Sequence, residues 1–340
     1  MESSDVINYK KFQIEKKMVK MINILEECKN AKVIGIGSHL RPDGDCVGAC
    51  MGLYLYLKKE LPEAEVEVFL EEPAEVFYCI EGVKDIKTDF KAEKVHDVFF
   101  VLDCEKDRMG DSVVFFEKAA KTINIDHHVS NMGCADLNYI VPTASSTSEL
   151  VYDLLEEEKI NEAIAKAIYI GMVHDTGSFQ YANTSPKTLR IAAKLIEYGF
   201  DFSKLIEETF YQKTYVQNQI LGRALLESIL FMDGHCIVSS VDKKTMDFYH
   251  VRPTDLDGIV NQLRNTTGVD CAIFMYETAV LQYKVSLRSN EKVNVAKVAE
   301  YFGGGGHVRA AGCILSGTFH DVINNLSLHI EEQLQRESKS

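Results

Sequence analysis

Apolar positions along the chain fall into two alternating rhythms. From Tyr9 to Asn30, Ile14, Met18, Met21, Ile22 and Leu25 recur at helical spacing, which predicts a helix with one apolar face. Lys32 to Leu40 reads as a strand, Val-Ile-Gly-Ile-Gly, closing on Ser38 and His39. Arg41-Pro42-Asp43-Gly44-Asp45 is a turn by composition, and Cys46 to Lys59 returns to the helical period. Val66 to Leu70 is a short strand. His96 to Leu102 is a near-continuous apolar run, as in buried parallel strands, and it ends at Asp103. Another short buried strand leads into Asp126-His127-His128. Asp136 to Val141 fits an edge strand stopped by Pro142, and Ser145-Ser146-Thr147 offers an N-cap and small donors for a helix through Glu158. Asn161 to Val173 is a further helix, leading to His174-Asp175-Thr176-Gly177. Strands alternating with helices predict an α/β domain built on a parallel, doubly wound sheet.

Beyond Ser185 the pattern changes. Ser185 to Leu226 is helical and lacks strands. Ile229 to Met232 and Cys236 to Val241 then flank Asp233-Gly234-His235, a hairpin signal. Leu256 to Asn265 looks helical, Cys271 to Tyr276 and Leu281 to Leu287 look like strands, and Val295 to Tyr301 is helical. A glycine-rich segment, Phe302 to Cys313, precedes a last helix. The expected organisation is an α/β domain over 1–185, a helical linker over 186–226 and a smaller mixed α+β domain over 227–340.

Composition narrows the function. A length of 340 residues suits about two domains, and an apolar share of 46% supports substantial cores. A formal net charge of −14 argues against sequence-blind binding to long duplex nucleic acid, where a basic surface is expected. It leaves room for a short anionic substrate held by metal ions and a few local cations. The 9 cysteines form no finger pattern and read as reduced thiols of a cytoplasmic chain. No apolar run approaches the roughly 20 residues of a membrane span, and the charged stretch Met1 to Lys20 is no secretory signal.

The chemistry gathers where strands are expected to end. His39, Asp43, Asp45, Asp103, His127 and Asp175 are read as strand-end groups, with Asp126 and His128 beside them. Four carboxylates and two imidazoles without thiolates are too many for one tetrahedral zinc. They suit two ions of intermediate hardness, with Mn²⁺ favoured over Mg²⁺ by the imidazoles. Such a pair can stabilise the entering and leaving oxygens at phosphorus. Each motif alone is weak; Asp-Gly-Asp, for example, is usually a turn.

Together, His39-Leu40-Arg41-Pro42-Asp43-Gly44-Asp45, Asp103, Asp126-His127-His128 with Asn131, and Asp175-Thr176-Gly177 resemble the DHH phosphoesterases. The Gly303 to Gly312 segment resembles the DHHA1 signature that follows the catalytic domain in one branch, and Ala49 departs from the Ser often found there. The resemblance implies that His39 and Asp43 hold one ion, that Asp45, His127 and Asp175 hold the other, and that Asp103 bridges them. Asp126 would orient an imidazole, and His128 would face the scissile phosphate. Substrate binding would fall to Arg288 and to Gly304, Gly305, Gly306 and His307, with Arg264 and Arg309 as further candidates.

By the same resemblance, the chain is a Mn²⁺-dependent phosphoesterase with its active site in the cleft between two lobes. It would release 5′-mononucleotides from short oligoribonucleotides and remove the 3′-phosphate from 3′-phosphoadenosine 5′-phosphate (pAp). Hydrolysis of cyclic-di-AMP or pApA is the alternative within the class, and a nucleotide-sensing module without catalysis is the alternative outside it. Oligomeric state, a homodimer included, stays open.

Overall fold

Strands that are apolar on both faces need cover on both, and that requirement builds the first domain. The computed structural model describes residues 22–290 and 292–337, apart from the side chains of residues 307, 336 and 337. The chain divides into two compact units, Met1–Gln212 and Lys213–Ser340. In the first, β1 (Val33–Gly37), β2 (Glu65–Phe69), β3 (Val98–Leu102), β4 (Thr122–Asp126) and β5 (Leu137–Ile140) form one sheet in the order β2-β1-β3-β4-β5. Every neighbouring pair is parallel. The order reverses between β1 and β3, and the crevice beyond the carboxyl ends of the strands at such a reversal is a natural ligand site.

The helices of this unit are α1 (Ile24–Cys28), α2 (Gly44–Glu60), α3 (Val113–Lys118), α4 (Thr147–Leu154), α5 (Glu162–Asp175), α6 (Pro186–Ile196) and α7 (Phe202–Ile206). Successive side chains of β3 point to opposite faces. Phe100 and Leu102 join Ile34, Ile36, Ile123 and Ile125 against α2, α4 and α5. Phe99 and Val101 join Phe69 and Phe116 of α3 in a smaller core on the other side. α2 and α5 approach backbone to backbone. A Cβ on Gly48 would stand 2.7 Å from the Ala167 carbonyl oxygen and the Gly171 nitrogen. A Cβ on Gly171 would stand 1.9 Å from Ser148 Oγ, so neither position has room for a side chain.

Of the helix expected over Tyr9 to Asn30, only α1 falls among the described residues; 9–21 lie outside them. The helical stretch read as a linker over 186–226 is shared between the units. Ile191, Ala192, Leu195 and Leu205 are buried in the first core, while Ile220 and Ala224 of α8 (Tyr215–Leu226) are buried in the second unit. Helices with apolar faces pack rather than span.

The second unit carries β6 (Ile229–Phe231), β7 (Cys236–Val241), β8 (Cys271–Ala279), β9 (Gln282–Ser289), β10 (Gly305–His307) and β11 (Ala310–Ser316) in the order β10-β11-β9-β8-β7-β6. The pair β7–β8 is parallel and the rest are antiparallel. Its further helices are α9 (Lys243–Tyr249), α10 (Ile259–Arg264), α11 (Val295–Tyr301) and α12 (Phe319–Glu337). α11 and α12 cover one face of the sheet, and α8 and α10 the other. The glycine-rich segment is not a simple loop. It holds the β10–β11 pair, and a Cβ on Gly304 would stand 2.2 Å from the Gly312 carbonyl oxygen.

Candidate metal centre

Asp103 sits one residue past β3, in the left-handed region at φ 59°, a conformation that costs a non-glycine residue about 1 kcal/mol. It is 2% exposed, and its two carboxylate oxygens face different ways. Oδ2 is 3.4 Å from His39 Nε2, while Oδ1 is 3.6 Å from His127 Nε2. His39 follows β1 and also lies 3.8 Å from Asp43 Oδ1. His127 follows β4, and its Nε2 lies 4.0 Å from Asp45 Oδ2 and 3.6 Å from Asp175 Oδ2.

Two sets of atoms close enough to share a cation result: His39, Asp43 and Asp103, and Asp45, His127 and Asp175. Asp103, His127 and His128 make a third such set. His128 Nδ1 is the atom near Asp103, at 3.6 Å, but it is held at 2.7 Å by Asp126 Oδ1.

The elements dictate these positions. Asp43 caps α2, accepting from the Asp45 and Cys46 amides, and Asp45 lies in that helix's first turn. A carboxylate is favoured at such a helix start. Asp175 is the opposite case and corrects the strand-end reading. It is the last residue of α5, because the helical period expected to stop at Val173 runs on through it. A helix C-terminus disfavours a carboxylate, which leaves Asp175 in need of a counter-charge.

Neighbours fix the ligand atoms. His39 Nδ1 donates to the Leu40 carbonyl at 2.8 Å, which leaves the Nε2 lone pair facing Asp43 and Asp103. Buried Asp126 accepts from the His128 amide at 3.0 Å and from Asn131 Nδ2 at 2.6 Å. Burial works against its charge, but His128 and Asn131 outweigh it and hold the carboxyl below the usual range. The imidazole that Asp126 contacts is therefore that of His128.

Several contacts carry no signature in the sequence. The Thr147 and Ser148 amides donate to Asp45 Oδ2 and Oδ1 at 2.6 and 2.9 Å. Thr147 Oγ1 donates to Asp103 Oδ1 at 2.9 Å, and Asn183 Nδ2 lies 3.3 Å from Asp175 Oδ2. Only the serine and threonine run at 145–147 hinted at the first of these.

The electrostatics suit a cation. Among the described residues, the ion pairs of Asp43, Asp45, Asp103 and Asp175 are all with imidazoles. Burial pushes the Asp103 carboxyl well up, reinforced by Asp45 and Asp43, and burial raises Asp45 as well. Burial and Asp45 push Asp175 up to about 7. Burial opposes the charge of His127, but Asp175, Asp45 and Asp103 overcome it and push the imidazole up to about 9. The mixed oxygen and imidazole donors, with this excess of buried carboxylate, fit divalent cations.

The second unit brings most of its candidates to one end of its sheet, where Arg288 of β9 pairs with Ala310 of β11, Ala310 pairs with His307 of β10, and the Ser289 amide donates to the Arg309 carbonyl at 3.1 Å. Arg288 on β9 donates from Nε to Asn261 Oδ1 at 3.0 Å and from Nη1 to the Leu287 carbonyl at 3.0 Å. Arg264 ends α10 and contacts Asn265 Oδ1 at 3.4 Å. Arg309 is exposed between β10 and β11. Gly305 and Gly306 lie on β10, and Gly304 directly precedes it. The backbone of His307 ends β10, and its side chain lies outside the described residues.

Comparison with known proteins agrees with the two-part reading. Residues 33–172 match the DHH family, N-terminal domain, and residues 233–336 match the DHHA1 domain. The chain is 29% identical over 284 residues to the bifunctional oligoribonuclease and PAP phosphatase NrnA of Bacillus subtilis, covering 81% of this chain and 86% of that protein. It is 29% identical over 307 residues to the protein of the same name from Thermus thermophilus, covering 89% and 90%. Among solved structures, an exopolyphosphatase-related protein from Bacteroides fragilis superposes with a TM-score of 0.83 at 26% identity, over 91% of this chain and 94% of the other. With a DHH-type N-terminal domain over residues 33–172 followed by a DHHA1 domain over residues 233–336, and with its acids and imidazoles gathered beyond one sheet, the chain has the two-domain make-up of the DHH phosphoesterases it resembles.

Proposed function

We propose that the chain is a Mn²⁺-dependent phosphoesterase that cleaves short oligoribonucleotides to 5′-mononucleotides and dephosphorylates pAp. The observation that carries this reading is Asp103, whose two oxygens address His39 on one side and His127 on the other. In this reading His39 and Asp43 hold one cation, Asp45, His127 and Asp175 hold a second, and Asp103 serves both. Bound divalent cations would supply Lewis acidity at the phosphoryl group and acidify the attacking water. The remaining work belongs to the chain. Asp126 keeps the proton of His128 on Nδ1, which puts proton exchange with the substrate on Nε2. Thr147 and the amides that start α4 hold Asp103 and Asp45 in place.

Nucleotide capture is assigned to the second unit. Arg288 pairs with a substrate phosphate, Gly304, Gly305 and Gly306 let backbone approach an anion, and His307, Arg264 and Arg309 add donors. The relatives named for oligoribonuclease and PAP phosphatase activity support this choice of substrates. Among the described residues no helix is long and apolar enough to cross a membrane, and the cysteines are all unpaired thiols; both support a cytoplasmic setting.

The test is a substrate panel in Mn²⁺: pAp, pApA, cyclic-di-AMP, pyrophosphate, and RNA from dinucleotides to long strands. The expected order of kcat/KM puts short RNA and pAp first. A kcat/KM that climbs steadily with RNA length, or one dominated by cyclic-di-AMP, would replace this reading.

A further inference from the structure

Glu149 is a buried carboxylate that belongs to none of the cation-capable sets, and it is 1% exposed. Its Oε2 accepts from Ser145 Oγ at 2.6 Å and from Thr188 Oγ1 at 2.7 Å. Its Oε1 lies 3.1 Å from Lys187 Nζ, which also reaches Asp153. Burying a carboxylate is expensive even with such partners, and an apolar side chain would satisfy the packing of α4 at lower cost.

What its acceptor oxygen Oε2 secures is the turn that precedes α4. The Ser145 hydroxyl is tied to Glu149, and the Ser145 carbonyl accepts from Asn183 Nδ2 at 2.8 Å. That Nδ2 is also 3.1 Å from the Asp175 carbonyl and 3.3 Å from Asp175 Oδ2. The Ser146 hydroxyl accepts the Glu149 amide at 3.0 Å and caps the helix. Thr147 and Ser148 come next, with their amides on Asp45 and the Thr147 hydroxyl on Asp103. One short turn therefore reaches Asp45, Asp103 and Asp175, and Glu149 is the group that holds it from behind.

We infer that Glu149 is a positioning residue of the metal centre, fixing the 145–148 turn so that three of its carboxylates are set before a cation arrives. This role rests on the metal-centre reading above. Removing a direct partner of the ligands typically weakens metal binding 10- to 100-fold; Glu149 acts one contact further out, through Ser145 and the turn, so its removal belongs at the low end of that range.

The experiment is calorimetric titration of the full chain with Mn²⁺, without substrate, for wild type, Glu149→Ala, Glu149→Gln and Leu154→Ala. Leu154 is a buried apolar residue at the far end of the same helix and takes no part in these hydrogen bonds, so it reports on damage to α4 alone. Glu149→Ala is expected to raise the dissociation constant about 10-fold. Glu149→Gln keeps an acceptor for Ser145 and Thr188 and should stay within a factor of about 3, as should Leu154→Ala. Should Glu149→Ala not fold, Ser145→Ala carries the test, with a loss of about 3- to 10-fold expected. Unchanged binding in Glu149→Ala (or in Ser145→Ala where it stands in), or equal weakening in Leu154→Ala, would overturn the role. A wild type that binds no Mn²⁺ would overturn it too, by removing the metal-centre reading itself.

Discussion

Asp103 concentrates the logic of the centre in one side chain. It is buried, conformationally strained and surrounded by other acids, and burial raises its carboxyl far above the usual range. Such a residue is costly to keep unless something else uses both oxygens. Asp103→Asn should abolish turnover on every substrate while leaving the fold intact, as read by circular dichroism and metal content. An unchanged kcat with two metals per chain would refute a bridging role. His39→Ala should instead weaken one cation preferentially, so excess Mn²⁺ should restore part of its activity but none in Asp103→Asn.

At this scale the sequence was informative about what the residues are and less so about what holds them. The acids and imidazoles stood out by type and spacing. The amides of Thr147 and Ser148 did not, because a backbone N–H looks the same at every position.

Elements show why most of the fold could be read and where reading stopped. All five parallel strands were foreseen, β3 most plainly as an apolar run because both its faces are buried, and β5 as an edge strand that is only partly covered. The end of α5 was misplaced because Asp175 breaks the apolar period without breaking the helix. The glycines near β10 were read from sequence only as candidates for substrate binding; their steric need against β11 depends on a pairing partner that sequence does not specify.

Between β2 and β3 another buried pair makes a testable claim. His96 Nε2 is 2.8 Å from Glu67 Oε2, Lys87 also pairs with Glu67, and Phe69, Phe99 and Phe115 enclose the imidazole. Burial lowers the pKa of His96 below its ordinary value despite Glu67. The unfolded chain therefore takes up the proton first as pH falls through about 6.5, and stability declines from there toward the folded pKa. The slope from this group reaches at most about 1.4 kcal/mol per pH unit. Urea unfolding of wild type and His96→Gln at neutral and mildly acidic pH should show a shallower decline in the variant. Parallel declines would mean that His96 is not kept neutral by the fold.

For the whole molecule, the division of labour follows the division of the chain. All proposed metal ligands lie in the first unit, and Arg288 lies in the second. Arg288→Ala should raise KM for pApA while kcat holds, provided the contact is equal in ground and transition states. The loss should be about 2–5 kcal/mol for a desolvated pair and about 1 kcal/mol or less for an exposed one. Bis-p-nitrophenyl phosphate, which offers no nucleotide to grip, should be hydrolysed at nearly the wild-type rate. Equal losses on both substrates would assign Arg288 to the fold instead.

The contact between Gly48 and Gly171 also governs when the centre comes into being. α2 carries Asp43 and Asp45 and leaves the ribosome early, whereas α5 brings Asp175 only after the whole sheet has been synthesised. Bringing such distant segments together costs loop-closure entropy that local contacts cannot repay in advance. Because the two helices meet through backbone at Gly48 and Gly171, flanked by Ile168 against Gly52 and His174 against Gly44, their docking is a late event with little room for adjustment. A nascent chain that ends before α5 lacks Asp175, so the last of the proposed ligands arrives only with that helix.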